Sequence, residues 1–258
     1  MRNDKIKNMS EPYVKLDIEN EVGYIEFFHP AHNSLPGDLL AQLAQTITDA
    51  GTNDAIKVIV LKSGKDRTFC AGASFKELVN INDEATGKVF FSGFANVINA
   101  MRKCPKFIIG RIQGKTVGGG VGLASATDYC MATKFAAIKL SELNVGIGPF
   151  VVGPAVERKL GLTGMSQIAI DANTFYPAEW AKQKGLFTQV YDSTEALDEA
   201  VKAFAENLCT YNTEAMKEIK AVFWKGTEDW DTLLIKRAEI SGRLVLSEFT
   251  KEKLKGFK

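Results

Sequence analysis

The run IKVIVLKS, residues 56–63, constrains this chain more than any other stretch. It is almost continuously apolar and of strand length, which marks a strand buried on both faces. Such a strand needs helices on either side of its sheet, so the expected class is α/β. The surrounding pattern agrees. YVKLDIE and GYIEFFHP read as two strands around a turn at 20–23. Pro36 opens PGDLLAQLAQTITDAG, apolar at Leu39, Leu40, Leu43, Ala44 and Ile47 and closed by Gly51, which predicts a helix. A loop, DRTFCAGA, leads into SFKEL and a helix from about Asp83 to Arg102. KFIIGRIQ is the next strand and GGGVGLASATD the next helix, followed by short strands in YCMATKF and AAIKLSE. Helices then take over: VVGPAVERKLG, MSQIAIDA, PAEWAKQKG, 195–209, 213–225 and 229–248. The order is ββα, repeated over two thirds of the chain, and then helical. No linker separates the two parts.

GRIQGKTVGGGVGLASATDY (110–129) looks at first like a phosphate-binding loop. That motif needs four residues between its first glycine and GK[ST], and Gly110 and Gly114 enclose only Arg111, Ile112 and Gln113. The dinucleotide fingerprint fails too. Counted from Gly118 or Gly120, its sixth position is Leu123 or Ser125, where glycine or alanine is required. The glycines therefore serve another purpose.

Composition narrows the remaining classes. The 32 basic and 31 acidic residues nearly cancel, leaving no field to attract nucleic acid. Cys70, Cys104, Cys130 and Cys209 form no CxxC pair, as expected for reduced thiols. The start, MRNDKIKNMS, lacks the apolar core of a signal peptide, and no run reaches transmembrane length, so the expected location is cytoplasmic, without membrane contact. His29 and His32 are the only histidines, with no HExxH or His/Cys cluster to suggest a metal. No GxSxG elbow is present. Cys70, in FCAGA, reads as a small apolar residue before a tight turn rather than a nucleophile.

Two glycine- and alanine-rich turns remain, AGAS (71–74) and VGGGVG (117–122). Each follows a buried strand and opens a helix. Small residues there let backbone amides approach a ligand, and a helix N-terminus adds positive potential. Two such amides aimed at one point make an oxyanion hole, in which one donor is worth about 3–4 kcal/mol in the transition state. On glycine count alone, close packing explains the turns as well. Glu142, in AAIKLSELNVGIGPF, stands at a strand end before a turn through Gly146, Gly148 and Pro149, a suitable place for a general acid/base.

In combination these features are more specific. FCAGASFKEL, GGGVGLASATDY and KLSELNVGIGP, with FHPAHNSL before them and YPAEWAKQKGLFTQV after, resemble the crotonase (enoyl-CoA hydratase/isomerase) superfamily. The resemblance implies a spiral of ββα units over residues 1–195, carrying an acyl-CoA site. It also implies a C-terminal helical region over 196–258, packed on the core or on a neighbour and assembling trimers or pairs of trimers. The amides of Ala73 and Gly119 match the family's oxyanion hole. Ala71, Ser74, Phe75 and Lys76 would lie along the coenzyme A, with Lys76 near its phosphates. Gly118, Gly122 and His32 complete the expected binding set, and Phe75, Leu78, Phe90, Phe94 and Phe150 the acyl pocket. No metal or redox cofactor is required, since coenzyme A is part of the substrate.

The chain also departs from the family. Hydratases of this kind carry a glutamate in GGGxE, where GGGVG has Gly122, and Ser74 replaces the aspartate of CAGAD. Glu142 matches the second glutamate. One carboxyl group could hydrate an enoyl-CoA by syn addition, shift a double bond, or assist an enolate-forming decarboxylation. The GGGVGL and SEL segments most resemble the methylglutaconyl-CoA and carboxygeranoyl-CoA hydratase branch. A non-catalytic acyl-CoA-binding trimer is the remaining alternative.

Overall fold

A computed structural model describes residues 11–64 and 67–255. The MRNDKIKNMS start and Asp66 at the head of the DRTFCAGA loop lie outside the described residues. β1 (Tyr13–Glu19) and β2 (Val22–Phe28) form an antiparallel hairpin. Asn20 and Glu21 between them both have positive φ, 51° and 64°. A two-residue hairpin turn with both central residues left-handed matches the strand twist.

IKVIVLKS becomes β4 (Val58–Ser63), buried at every residue except Lys62. Val58 and Val60 face one way, against Leu197, Val201 and Ala205 of α7 (Thr194–Cys209). Ile59 and Leu61 face the other, into the main core with α1 (Gly37–Thr52) and α3 (Glu84–Lys103). Two covered faces with a period of two residues are what the apolar run demanded. β7 (Ile108–Ile112), β9 (Tyr129–Thr133) and β12 (Gln189–Tyr191) extend a six-stranded sheet of order β1-β2-β4-β7-β9-β12, parallel from β2 onward.

After each of these parallel strands up to β9, the chain makes one or two short strands that stack away from the large sheet. They are β3 (Ser34–Leu35), β5 (Thr68–Cys70), β6 (Gly72–Ala73), β8 (Lys115–Val117) and β10 (Ala137–Lys139). β5, β8 and β10 run parallel in one small sheet, closed by β11 (Tyr176–Pro177), and β3 pairs with β6. The chain is thus a spiral of ββα turns, as the sequence order predicts. Parallel neighbours in register bring their following turns together at one end. That end holds the candidate site.

Some boundaries differ from expectation. Gly51 does not close α1 but sits inside its last turn, where a Cβ would lie 3.2 Å from Cys104 Sγ. It permits close packing rather than a cap. The strand in AAIKLSE stops at Lys139, and Glu142 opens a 3₁₀ turn (Glu142–Val145). The expected helix over 229–248 is two, α9 (Trp230–Leu244) and α10 (Glu248–Lys255). Asp83 caps α3 with a capping box to Thr86, as its position at the expected start suggests. Among the described residues, no helix is long and apolar enough to cross a membrane.

α9 crosses α3 with backbones in contact. A Cβ on Gly87 would lie 2.7 Å from Gly242 Cα, and one on Gly242 2.8 Å from Lys88 N. Backbone cannot swing aside as a side chain can. Gly87→Ala is therefore expected to cost about 1–3 kcal/mol of stability by overpacking, read as a lower urea midpoint at unchanged slope.

A candidate acyl-thioester site with one buried carboxyl group

A cavity of about 900 Å³ opens where the turns after β6, β8 and β10 meet. Eight of the ten positions expected from sequence line it; Gly122 and His32 do not. The expected acyl-pocket residues Phe75, Leu78, Phe90, Phe94 and Phe150 line it as well.

The first turn is pinned by its neighbours. Ser34 Oγ donates to the Ala73 carbonyl at 2.8 Å, and Ser74 N donates to the Leu35 carbonyl at 3.0 Å. Ser74 Oγ then accepts from Glu77 N at 3.3 Å, capping α2 (Phe75–Leu78). Ser74 thus does a helix-capping job at the position of the family's aspartate. Gly72, at φ 92°, brings this turn against the next: a Cβ there would lie 3.2 Å from the Val117 carbonyl oxygen and 3.7 Å from Gly119 N. Only a residue without Cβ lets the two backbones approach this closely.

The second turn opens α4 (Gly119–Ala126), every residue of which is buried. Gly119 is the first residue of that helix, so its N–H has no acceptor one turn earlier. A Cβ on it would run into the Phe94 ring. Gly118, with φ 53° and ψ −117°, turns the chain into the helix, and its N–H donates to the Lys139 carbonyl at 2.9 Å. This bond continues the β8–β10 ladder, in which Lys139 pairs with Val117. Three residues beyond Lys139, Glu142 consequently arrives over Gly118. A Cβ on Gly118 would lie 3.1 Å from Glu142 Oε1.

Glu142 Oε2 is buried and has no hydrogen-bond partner. Burial pushes the carboxyl pKa up to about 7, and hydrogen bonds from the backbone of Glu142 and Ser141 only partly oppose it. Desolvation disfavours the charged form, which explains the direction. An orphaned carboxyl oxygen facing a cavity that holds amide donors is a group available to a ligand. Cys70, by contrast, is fully buried with its thiol pushed up to about 12 by burial, consistent with a packing role.

Two expected positions need correction. Gly122 is buried in α4, where a Cβ would lie 2.5 Å from Val152 Cγ1 and 3.3 Å from Ile98 Cδ1. Val152 therefore occupies the room that a side chain at 122 would need, and Gly122 is a packing residue. His32 is exposed, in a left-handed conformation (φ 55°) on the turn after β2. His29 lines the cavity instead. Its Nδ1 accepts from Ala31 N at 3.2 Å, so the neutral ring carries its proton on Nε2. Burial lowers its pKa, while Asp38 and Glu77 oppose that shift. The available signal was position, since His29 directly follows β2, at the strand end where ligands of α/β sheets bind. Ser241 of α9 and Ile147 also line the cavity, and no local pattern marks them.

Backbone amides in the two small-residue turns and one high-pKa carboxyl group can together polarise a carbonyl and move a proton at the carbon beside it. The comparisons with known proteins fit that class. The enoyl-CoA hydratase/isomerase family matches residues 17–257. The chain belongs to this family of lyases and isomerases. It is 26% identical over 231 residues to the peroxisomal Delta(3,5)-Delta(2,4)-dienoyl-CoA isomerase of Arabidopsis thaliana, covering 83% of this chain and 81% of that protein. It is 28% identical over 200 residues to the mitochondrial methylglutaconyl-CoA hydratase of Mus musculus, covering 76% of this chain and 63% of that protein. The crystal structure of an enoyl-CoA hydratase from Bacillus halodurans superposes with a TM-score of 0.87 at 21% identity, covering 95% of this chain and 99% of that one, which shows the same fold.

Proposed function

We propose that the protein adds water reversibly to an α,β-unsaturated acyl-CoA thioester. The amides of Ala73 and Gly119 donate to the thioester oxygen, and Glu142 is the sole acid/base. The ionised carboxyl takes a proton from water, the oxygen bonds to the β-carbon, and the π electrons move to form an enolate held by the two amides. Glu142 then returns the proton to the α-carbon, and the enolate collapses to the 3-hydroxyacyl thioester. The observation that carries this reading is the buried Glu142 Oε2, which has no hydrogen-bond partner, with Oε1 against Gly118. A group titrating near neutrality is suited both to accept and to return a proton.

A second reading, migration of the double bond, draws support from Val152. It fills the space beside Gly122 with a methyl group, so no second carboxyl stands there to hold a water. Glu142 would then carry a proton from one carbon to another. A branched, carboxylated acyl group would call for a cation inside the pocket. The one lysine or arginine among the described lining residues is exposed Lys76 of α2, which suits coenzyme A phosphates better. We further propose that no cofactor beyond the substrate takes part, that the chain assembles as a homotrimer or hexamer, and that it works in the cytoplasm.

A panel of enoyl-CoA thioesters analysed by mass spectrometry tests the reaction. A gain of one water is expected. A shifted double bond with no mass change would replace hydration by isomerisation, and loss of carbon dioxide would indicate decarboxylation. Tight binding of every thioester without turnover would leave only a binding module.

A further inference from the structure

The 142–148 loop that carries Glu142 is held from outside by the end of the chain. Gly146, at φ 82°, closes the 3₁₀ turn, and a Cβ there would run into Thr250 Oγ1 and the Phe249 ring of α10. Thr250 is fully buried, with its Oγ1 bonded to Ser247 Oγ at 3.0 Å. One turn further on, Leu254 is 6% exposed and joins Ile147 and Val245 in a small apolar cluster of its own. Leu78 of α2, Phe91 of α3 and Val145 pack against that cluster and also line the cavity. Ile147 N donates to the Glu142 carbonyl at 3.0 Å. Leu254 is therefore linked to Glu142 through the Ile147 cluster and one backbone hydrogen bond.

We infer that α10 is the positioning element for the carboxyl group of Glu142, with Phe249, Thr250 and Leu254 clamping the 142–148 loop against the cavity wall. This rests on the acid/base reading of Glu142 for its catalytic consequence, but not for its effect on the group itself. The shift of Glu142 comes from burial, and no ionised side chain contributes to it. The charged residues of α10, namely Glu248, Lys251, Glu252, Lys253 and Lys255, are exposed. So are Glu157 and Arg158 of α5 (Gly153–Ile170), the helix that follows the loop. His29, Asp38 and Glu77 form a separate group at the β2, α1 and α2 side of the cavity. Among the described residues, those that meet the cluster from outside the loop are Leu78, Val79 and Ile81 at the end of α2 and after it, Phe91 of α3, and Val245, Leu246 and Leu254 of the C-terminal segment. Elements with few buried contacts open most readily. A loosened α10 admits water to the carboxyl and lets it leave its place over Gly118.

The test uses the full chain with Leu254→Ala, Phe249→Ala and Leu254→Met. Phe249 is 59% exposed, so its replacement leaves folding intact even if Leu254→Ala does not. Steady-state kinetics gives kcat and KM, and carbon-13 NMR of glutamate-labelled protein follows the titration of Glu142, assigned by its absence in Glu142→Gln. Both alanine variants are expected to lower kcat about tenfold or more with KM changed less than about twofold, because small misplacements of a catalytic group are costly. They should also move the Glu142 titration down from near 7 toward the ordinary carboxyl range, and Leu254→Met should restore both. Folded alanine variants with an unmoved Glu142 titration would overturn the inference. Full activity of Glu142→Gln would overturn the proposed mechanism alone, since the titration would still report what α10 does to the group.

Discussion

Glu142→Gln lowers kcat by about 10²–10⁴-fold, the range by which positioned general acid/base groups contribute. The amide is close to isosteric, and Ala73, Gly118 and Gly119 keep their places, so binding of the thioester should change little. In the parent enzyme the carboxyl must start ionised to accept a proton, so kcat/KM rises with pH through about 7. That limb disappears in Glu142→Gln. The same substitution has the opposite effect on stability. The folded-state pKa lies above the unfolded one because burial penalises the charge. The folded state therefore binds the proton more tightly, and stability falls as pH rises from the unfolded pKa through about 7. Below that window the group is protonated in both states and costs nothing. Glu142→Gln removes the penalty, so it is expected to raise the melting temperature at pH 8 and leave it unchanged at pH 4. Equal melting temperatures at pH 8 would mean that the carboxylate is solvated in the folded protein. A rate profile without an acid limb near neutrality would mean that Glu142 is not the base.

Lys220→Met destabilises the fold by about 3–5 kcal/mol, the cost of leaving half of a buried ion pair alone. Lys220, in α8 (Thr213–Phe223), reaches Asp128 Oδ2 at 2.8 Å. The two side chains are 2% and 6% exposed. The ammonium also donates to the Lys106 carbonyl at 2.7 Å. Asp128 accepts further bonds from Ile108 N at 2.8 Å and Trp224 Nε1 at 2.9 Å. These contacts join α8 to the start of β7 and the edge of β9. Methionine fills most of the volume, so the loss is electrostatic. A buried carboxylate with two remaining donors then loses its paired ammonium and keeps only the more distant charge of Lys159, which donates to the Asp128 carbonyl at 3.3 Å. Chemical denaturation of Lys220→Met and of the double variant with Asp128→Asn separates the terms. The double variant should recover part of the loss, because the stranded charge is gone. If Lys220→Met alone stays within 1 kcal/mol of the parent, water reaches Asp128 and the pair is not sealed.

Much of the architecture was legible because it obeys local rules. The apolar run at 56–63 forces a strand covered on both faces, and Val58, Val60, Ile59 and Leu61 divide between the two cores as alternation requires. Asp83 and Pro36 mark helix starts through capping and a preset φ, which depend on only a few neighbouring residues. The glycine turns at 71–74 and 117–122 could be picked out, as could Glu142. The sequence points to His32 where His29 lines the cavity, because three residues of a tight turn reverse direction and no periodicity reports that. Gly122 was legible as a position without a carboxyl group. That Val152 had taken the space could not be read, since the two residues are thirty apart and meet only when α5 packs on α4.

The amino-acid order by itself determined the strand and helix pattern, the small residues at two helix starts and the choice of a single glutamate. Only the tertiary structure decided what that glutamate is. Its carboxyl group is ordinary until β10 pairs with β8 and carries it over Gly118. Its Oε2 is then buried at the cavity wall, and burial raises its proton affinity. Proton affinity depends on solvation, and solvation depends on residues brought together at the cavity from α2, α3 and the segment before α5. No local stretch contains that information, because burial is a property of the whole fold.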